Sequence, residues 1–306
     1  MAMLDLPDEV YNWLVSFFQD RSHCTYYQRE VSPVLDITAS IVQGSAVGPA
    51  AYVVDTADLN VVTPGNELIK FADDTYIVIP ATNVNSRQSE LNNIHRWAEA
   101  NNLKANPSKY AEIIFADGRR RTKQKIHFPP HLPGIIRVTT IKILGVTFTN
   151  SLSVAEHVHN VISSCAQVLH ALRVLRAHGM DDALLQTIYR SVIIAKLTYA
   201  SSAWWGYTSA TDRQRLEAFI RRSDRSRFVP ANLPTFAELC LAADEKLFET
   251  VTRYNNHVLH KFLPSQSEAF EHYYLRQRRH NFSLTARTSH LADNNFIQRM
   301  LYHDVY

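Results

Sequence analysis

Two adjacent aspartates, Asp73 and Asp74, carry the strongest chemical signal in this chain. They sit in Glu67-Leu68-Ile69-Lys70-Phe71-Ala72-Asp73-Asp74-Thr75-Tyr76-Ile77-Val78-Ile79-Pro80, between two runs rich in Ile, Val, Tyr and Phe. Such runs read as strands, and the acidic pair between them reads as a tight hairpin turn. A hairpin of this kind holds two carboxylates at one tip. Like charges that close repel one another unless a cation sits with them. Hard oxygen ligands suit Mg²⁺, which keeps several waters and binds through one or two carboxylates plus substrate phosphates. The chemistry to expect is metal-assisted phosphoryl or nucleotidyl transfer. The structural alternative is a solvated turn, because Asp is a common turn residue.

The elements around the pair follow from periodicity and punctuation. Pro7 opens a helix with Asp8 and Glu9 in its first turn, where the helix dipole favours acids. Val10, Trp13, Leu14 and Phe17 recur at helical spacing and predict one buried face. Residues 24–32 and 34–40 read as two strands broken at Pro33. Gln43-Gly44-Ser45-Ala46-Val47-Gly48-Pro49 is a glycine-rich turn into a helix, with Ser45 placed to cap it. After the aspartate hairpin, residues 83–103 are helical, with Leu91, Ile94, Trp97 and Ala98 on one face. Leu103-Lys104-Ala105-Asn106-Pro107-Ser108-Lys109 turns into a strand over 111–115. Lys109 stands at its start, and its structural alternative is a solvated lysine. A basic loop with Arg119, Arg120 and Arg121 follows, then short strands over 126–128, 135–138 and 143–148.

From Ser153 the pattern becomes helical. Val154, Val158, Val161, Ile162, Cys165, Leu169, Leu172 and Leu175 form one stripe, and Gly179 ends it. A second helix is expected from Asp181 to about Trp205. A third, over 211–228, carries Arg213, Arg215, Arg221, Arg222, Arg225 and Arg227. Further helices are expected over 236–263, and the basic tail ends in an apolar helix over 294–301.

Composition bounds the class. The 306 residues are 46% hydrophobic and 20% charged, enough for two or three domains. Cys24, Cys165 and Cys240 lie far apart, with no zinc spacing, and their odd number argues against a disulfide framework. That favours an intracellular, reducing setting. The acidic N-terminus has no basic n-region, so no signal peptide is expected, and no apolar run is long enough for a membrane span. Residues 1–116 hold 7 Lys/Arg against 14 Asp/Glu, while residues 117–306 hold 25 against 15. An acidic front and a basic back suggest a metal-binding portion beside a phosphate-binding one, with uneven solvated faces as the plain alternative. His157 and His159 are two apart on a helix and point to different faces, so they cannot share a metal there.

Taken in order, Gln43-Gly44-Ser45-Ala46-Val47-Gly48-Pro49, Phe71-Ala72-Asp73-Asp74, Leu103 to Lys109 and Ile143-Leu144-Gly145-Val146 are similar to the sequential palm motifs of reverse transcriptases. More narrowly, they resemble those of non-LTR (LINE-type) retrotransposons. The resemblance implies an α+β fold: a partial right-hand polymerase palm, an antiparallel sheet with helices, followed by an all-α thumb and a C-terminal helical region. It divides the chain into a partial palm (1–116), a strand-rich connector with the primer-grip hairpin (117–150), a helical thumb (151–229) and a C-terminal region with a basic tail (230–306).

The same resemblance implies roles. Asp73 and Asp74 are the catalytic and metal-binding pair, with Asp73 favoured as the direct Mg²⁺ ligand. Lys109 stands near the departing pyrophosphate, as charge stabiliser or proton donor. Gln43 and Gly44 approach the templating base and incoming nucleotide, and Phe71 lines the nucleotide or primer-end site. Leu144, Gly145 and Val146 belong to the hairpin gripping the primer end. Arg119, Arg120, Arg121, Arg221 and Arg222 follow the nucleic-acid backbone. The partners implied are an RNA template and a DNA primer, or their hybrid duplex, with no membrane and no small-molecule cofactor. Nuclear residence is expected where the retrotransposon function is retained.

The family pattern also has fingers and an earlier palm strand carrying another metal-binding aspartate in a Phe-Asp-type motif. Asp5, Asp8, Asp20 and Asp36 sit on no matching strand. The expectation is an N-terminally truncated polymerase fragment, inactive alone, with Mg²⁺ held weakly or not at all. The rival expectations are a non-catalytic nucleic-acid-binding protein and a mobile-element relic.

Overall fold

The computed structural model describes residues 6–37, 44–116, 128–267, 280–287 and 289–303. Gln43, Arg119, Arg120 and Arg121 lie outside the described residues. The chain divides into two compact units, Met1–Tyr110 with His127–Ile135, and Ala111–Ile126 with Ile136–Tyr306. Helices and small sheets are mixed, an α+β chain.

In the first unit, α1 (Asp8–Phe18) begins after Pro7, as the sequence predicts. Its apolar stripe is not buried, however. No residue of α1 is buried, and Trp13 is 53% exposed. Periodicity reports which residues share a face, and the described residues supply no core for that face to enter. The stretch read as one strand over 24–32 is instead a miniature hairpin. Its strands β2 (Tyr26–Tyr27) and β3 (Glu30–Val31) are joined by Gln28 and Arg29, both at positive φ. Around it, β1 (Arg21–His23) pairs antiparallel with β4 (Leu35–Ile37). Helix α2 (Gly48–Asp55) starts with Pro49 in its first turn, and the Ser45 hydroxyl accepts from the Gly48 amide at 2.9 Å. Strands β5 (Glu67–Phe71) and β6 (Asp74–Val78) form the aspartate hairpin. Helix α3 (Arg87–Ala100) follows, with Ala98 buried and Leu91, Ile94 and Trp97 half-buried on the predicted face.

One buried carboxylate organises this unit. Glu90 of α3 is 1% exposed and accepts from the Val62 and Thr63 amides at 3.1 and 2.9 Å and from Asn66 Nδ2 at 2.7 Å. It thereby fixes the loop that leads into β5.

The second unit holds the hydrophobic core. Strands β7 (Ala111–Ile113) and β8 (Ile136–Val138) pair in parallel, and Arg137 donates twice to Glu112 across the pair, at 2.6 and 2.8 Å. The stretch 143–148, a single strand by its residue pattern but part of a hairpin by the motif resemblance, is a hairpin. Strands β9 (Thr140–Ile143) and β10 (Val146–Thr149) flank Leu144 at φ 44° and Gly145 at φ 89°. A two-residue turn with both φ positive has the twist that matches its strands. Helix α4 (Ala155–Ala177) packs on β10 and buries Val158, Cys165, Leu169 and Leu172, and Gly179 follows it at φ 89°.

The helix predicted over 181–205 is broken. It runs as α5 (Asp182–Ile188), a π segment (Tyr189–Ile194) and α6 (Ala195–Thr198), and resumes as α7 (Ser201–Trp204) after Ala200 at φ 50°. Helix α8 (Ala210–Arg225) opens with a reciprocal Ser209–Asp212 capping box, and α9 (Phe236–Arg253) with one between Thr235 and Glu238. The main core joins Val146 of β10, the inner faces of α4 to α8, and Phe236 and Cys240 of α9. A smaller cluster surrounds Phe248, Met300 and Leu301.

Among the described residues the strands form separate two-stranded ladders, one of them parallel, and not the single antiparallel sheet expected for a palm. Each ladder is short, and no third strand joins it.

Candidate active site

The hairpin register fixes where the acidic pair stands. Phe71 faces Asp74, so Ala72 and Asp73 form the two-residue turn and Asp74 begins β6. Asp73 is therefore a turn residue and Asp74 a strand residue, and the turn is one position earlier than the sequence suggests. Both carboxylates are exposed. Directly paired residues share a sheet face, so the Phe71 ring lies on the face that carries the Asp74 carboxylate. Tyr76, two residues along the strand, shares it too, with its hydroxyl 3.5 Å from Asp74 Oδ2. Phe71 is 60% exposed, an open apolar surface beside an open carboxylate.

Ala72 holds φ 49°, a left-handed conformation that disfavours a β-carbon. Such residues cost about 1–3 kcal/mol each and concentrate at functional sites. The opposite face of the hairpin anchors it. The Lys70 ammonium donates to the carbonyls of Thr56 and Leu59, the latter at 3.0 Å, just past the end of α2. The Thr56 carbonyl also accepts from the Leu59 amide at 3.3 Å, and a cation just past the end of α2 suits the helix dipole. The alternation of β5 would have pointed to Lys70, since it has the inward parity of Leu68.

Helix α2 also brings Tyr52 near the tip. Burial pushes its phenol above 10.0, and the negative charges of Asp73 and Asp55 push the same way. Among the described residues no three His, Cys, Asp or Glu side chains converge as a metal cage. Two adjacent carboxylates still fit one Mg²⁺ completed by water and phosphate oxygens.

Gly44 stands in the turn before α2 at φ 83°, with open space where a β-carbon would sit. Lys109 closes the 3₁₀ turn Pro107–Lys109 and is exposed. Asn106 shapes that turn, its side chain accepting from the Ser108 amide at 3.1 Å and hydroxyl at 2.6 Å. Among the described residues no hydrogen bond or ion pair joins Lys109 to Asp73 or Asp74.

In the second unit, Leu144 and Gly145 form the tip of the β9–β10 hairpin and Val146 is 3% exposed in the core. His157 of α4 supports this hairpin from beneath. Its Nδ1 lies 3.4 Å from the Thr147 amide and its ring meets Trp204 edge-on at 5.1 Å. Burial, and after it the Lys142 charge, push the imidazole below its ordinary 6.5.

The arginines of α8 separate into two sets. Arg213 stacks over Trp205 at 4.7 Å and donates to Thr208 Oγ1, and Arg215 meets Asp212 and His159. Arg221 and Arg222 are exposed and make no ion pair among the described residues. Arg225, one turn further, is exposed as well.

Three comparisons bear on these placements. No family model matches the chain, and no solved structure matches it significantly. Among curated proteins, it is 25% identical over 235 residues to a probable RNA-directed DNA polymerase from transposon BS of Drosophila melanogaster. It is also 26% identical over 166 residues to the RNA-directed DNA polymerase from mobile element jockey of that species. The jockey polymerase of Drosophila funebris is 25% identical over 217 residues. The matches cover 72%, 51% and 64% of this chain, but 26%, 18% and 22% of those proteins. Together with the ordered motifs, these matches make the chain similar to the RNA-directed DNA polymerases of non-LTR retrotransposons, of which it spans about a quarter of the length or less.

Proposed function

We propose that the chain carries part of the catalytic portion of an RNA-directed DNA polymerase, with the β5–β6 hairpin as its metal-binding element. The observation that supports this most is the tip itself: Asp74 and Phe71 share one exposed face, beside Asp73 in a turn strained at Ala72. Mg²⁺ at such a tip would neutralise charge on a transferring phosphoryl group. Asp73 and Asp74 would hold the ion and Phe71 would pack against a nucleotide or primer end. Lys109 would meet the departing pyrophosphate once substrate is in place. In this reading the segments 1–116, 117–150, 151–229 and 230–306 serve as partial palm, connector with primer grip, thumb and C-terminal region. The partners are an RNA template and a DNA primer, and the setting is the nucleus.

Two-metal transfer uses ions about 3.5–4 Å apart that clamp attacking and leaving oxygens. Among the described residues no third carboxylate joins Asp73 and Asp74, and two are too few to bridge such a pair, so this chain alone is proposed not to polymerise. Primer extension on an RNA template with Mg²⁺ or Mn²⁺ tests this. Synthesis that disappears in Asp73→Ala would sink the proposed inactivity while upholding the site.

A second reading has its own support in exposed Arg221 and Arg222 on α8. Here the chain is a nucleic-acid-binding protein without catalysis. It would hold hybrid duplex with a salt-sensitive affinity indifferent to Asp73→Ala.

A further inference from the structure

We propose that Tyr199 positions the tip of the β9–β10 hairpin and that its open ring face, beside Leu144, stacks on the terminal base at the recessed 3′ end of a bound duplex. This rests on the polymerase reading of that hairpin.

The Tyr199 hydroxyl donates to the Leu144 carbonyl at 3.1 Å. A β-carbon on Gly145 would lie 3.1 Å from the Tyr199 ring. The turn needs glycine for its φ of 89°, and a β-carbon there would also press on the ring that rests on it. Tyr199 is brought there at some cost. The π segment Tyr189–Ile194 shifts the helical register just before it, and Ala200, just after, takes φ 50°. Both irregularities are features that mark functional positions. The buried Trp204 fixes the break by donating from Nε1 to the Tyr199 carbonyl at 3.0 Å.

A ring serving only as a strut would be covered. Tyr199 is instead 56% exposed and Leu144 38% exposed. The hydroxyl is committed to the hairpin, so the free part of the residue is its aromatic face. Aromatic faces receive bases without regard to sequence. Exposed Lys142 of β9 and Lys196 of α6, the latter donating to Ser164 Oγ, add positive charge to the two elements that meet here. Phosphates of a duplex end would find cations on those elements.

The test uses the full chain and an RNA–DNA hybrid with 2-aminopurine at the recessed 3′ end, or at an internal position as control. Wild type should quench the terminal probe and leave the internal one unchanged. Tyr199→Ala should abolish the terminal quench and weaken binding about tenfold, the size of one lost base–aromatic stack. Tyr199→Leu keeps apolar bulk against Gly145, so it separates stacking from folding, which thermal melting checks. It should lose the quench too, while Tyr199→Phe keeps it. Wild-type quenching by a folded Tyr199→Leu variant overturns the inference and leaves the polymerase reading standing. Absence of any duplex binding by wild type removes that reading and the inference with it.

Discussion

Arg299, near the end of the described chain, donates from Nη1 to the buried carboxylate of Asp244 at 2.5 Å. Its other nitrogens reach the Ser202 and Asn294 carbonyls, each at 3.2 Å. One guanidinium thereby ties the helix Phe296–Leu301 to α9 and α7. Gly206 makes room for it, since a β-carbon there would fall 2.0 Å from the Asn294 carbonyl oxygen. Removing one partner of a buried pair leaves the other charge uncompensated, at about 3–5 kcal/mol. Arg299→Ala should therefore lower the stability of the second unit by that order in urea unfolding. Gly206→Ala should be comparably damaging, because a backbone atom and not a flexible side chain blocks it.

Glu90 gives the first unit a pH dependence of known sign. Burial by itself would raise its carboxyl, but donors from Val62, Asn66 and Thr63 outweigh that and hold it below 4.5. The folded value lies below the unfolded one. Its stabilisation is complete above the unfolded value and is lost as pH falls through the folded value. Glu90→Ala should destabilise the unit by about 1–3 kcal/mol, because the Val62 and Thr63 amides lose their acceptor while Asn66 Nδ2 keeps only Ser86 Oγ. Hydrogen exchange at the Val62 and Thr63 amides checks this, with protection lost in the variant at neutral pH and in wild type only in acid.

The second unit should be acid-sensitive at a higher pH. His157 is buried and its imidazole sits below 6.5, so the unfolded chain takes a proton before the folded one. Stability is whole above 6.5 and declines as pH falls toward the folded value. His157→Gln should flatten this part of the stability profile, read as melting temperature against pH between about 7 and 5, the range in which histidine titrates.

Thiol reactivity reports burial directly. Cys24 is exposed, whereas burial pushes the Cys165 and Cys240 thiols up to about 11 and about 12. The thiolate is the reacting species. A disulfide reagent at pH 8 should modify Cys24 alone in the folded chain, and all three cysteines once it is denatured.

Nucleic-acid binding, if it runs along α8, should depend on Arg221 and Arg222 and not on Arg213, which is spent on Trp205 and Thr208. Replacing both exposed arginines with alanine should reduce the slope of log affinity against log salt by roughly 1–2, about one for each phosphate no longer neutralised. Fluorescence anisotropy across a salt series measures this. An unchanged slope would mean that other cations neutralise the phosphates.

Much of the local structure was legible. The aspartate hairpin, the α4 stripe ending at Gly179 and the helix after Pro7 follow from alternation, helical spacing and glycine, signals that act over a few residues. The miniature hairpin at Gln28-Arg29 was hidden, because Gln and Arg are unusual at positive φ and composition gave no turn signal there. The turn at Leu144-Gly145 was missed by the strand pattern of 143–148, although the motif resemblance had put these residues in a hairpin and Gly145 marks its tip.

Sequence by itself determined the residue types that chemistry needs and the order of the motifs that carry them, which is also what the likeness to retrotransposon polymerases rests on. Tertiary structure decided which of those residues meet. The pairing register put Phe71 and Asp74 on one face, packing sorted Arg213 from Arg221, and a break after α6 carried Tyr199 to Gly145. It also left the apolar stripe of α1 unburied among the described residues. Spacing along a chain fixes which side chains share a face, but what that face touches depends on residues far away in sequence.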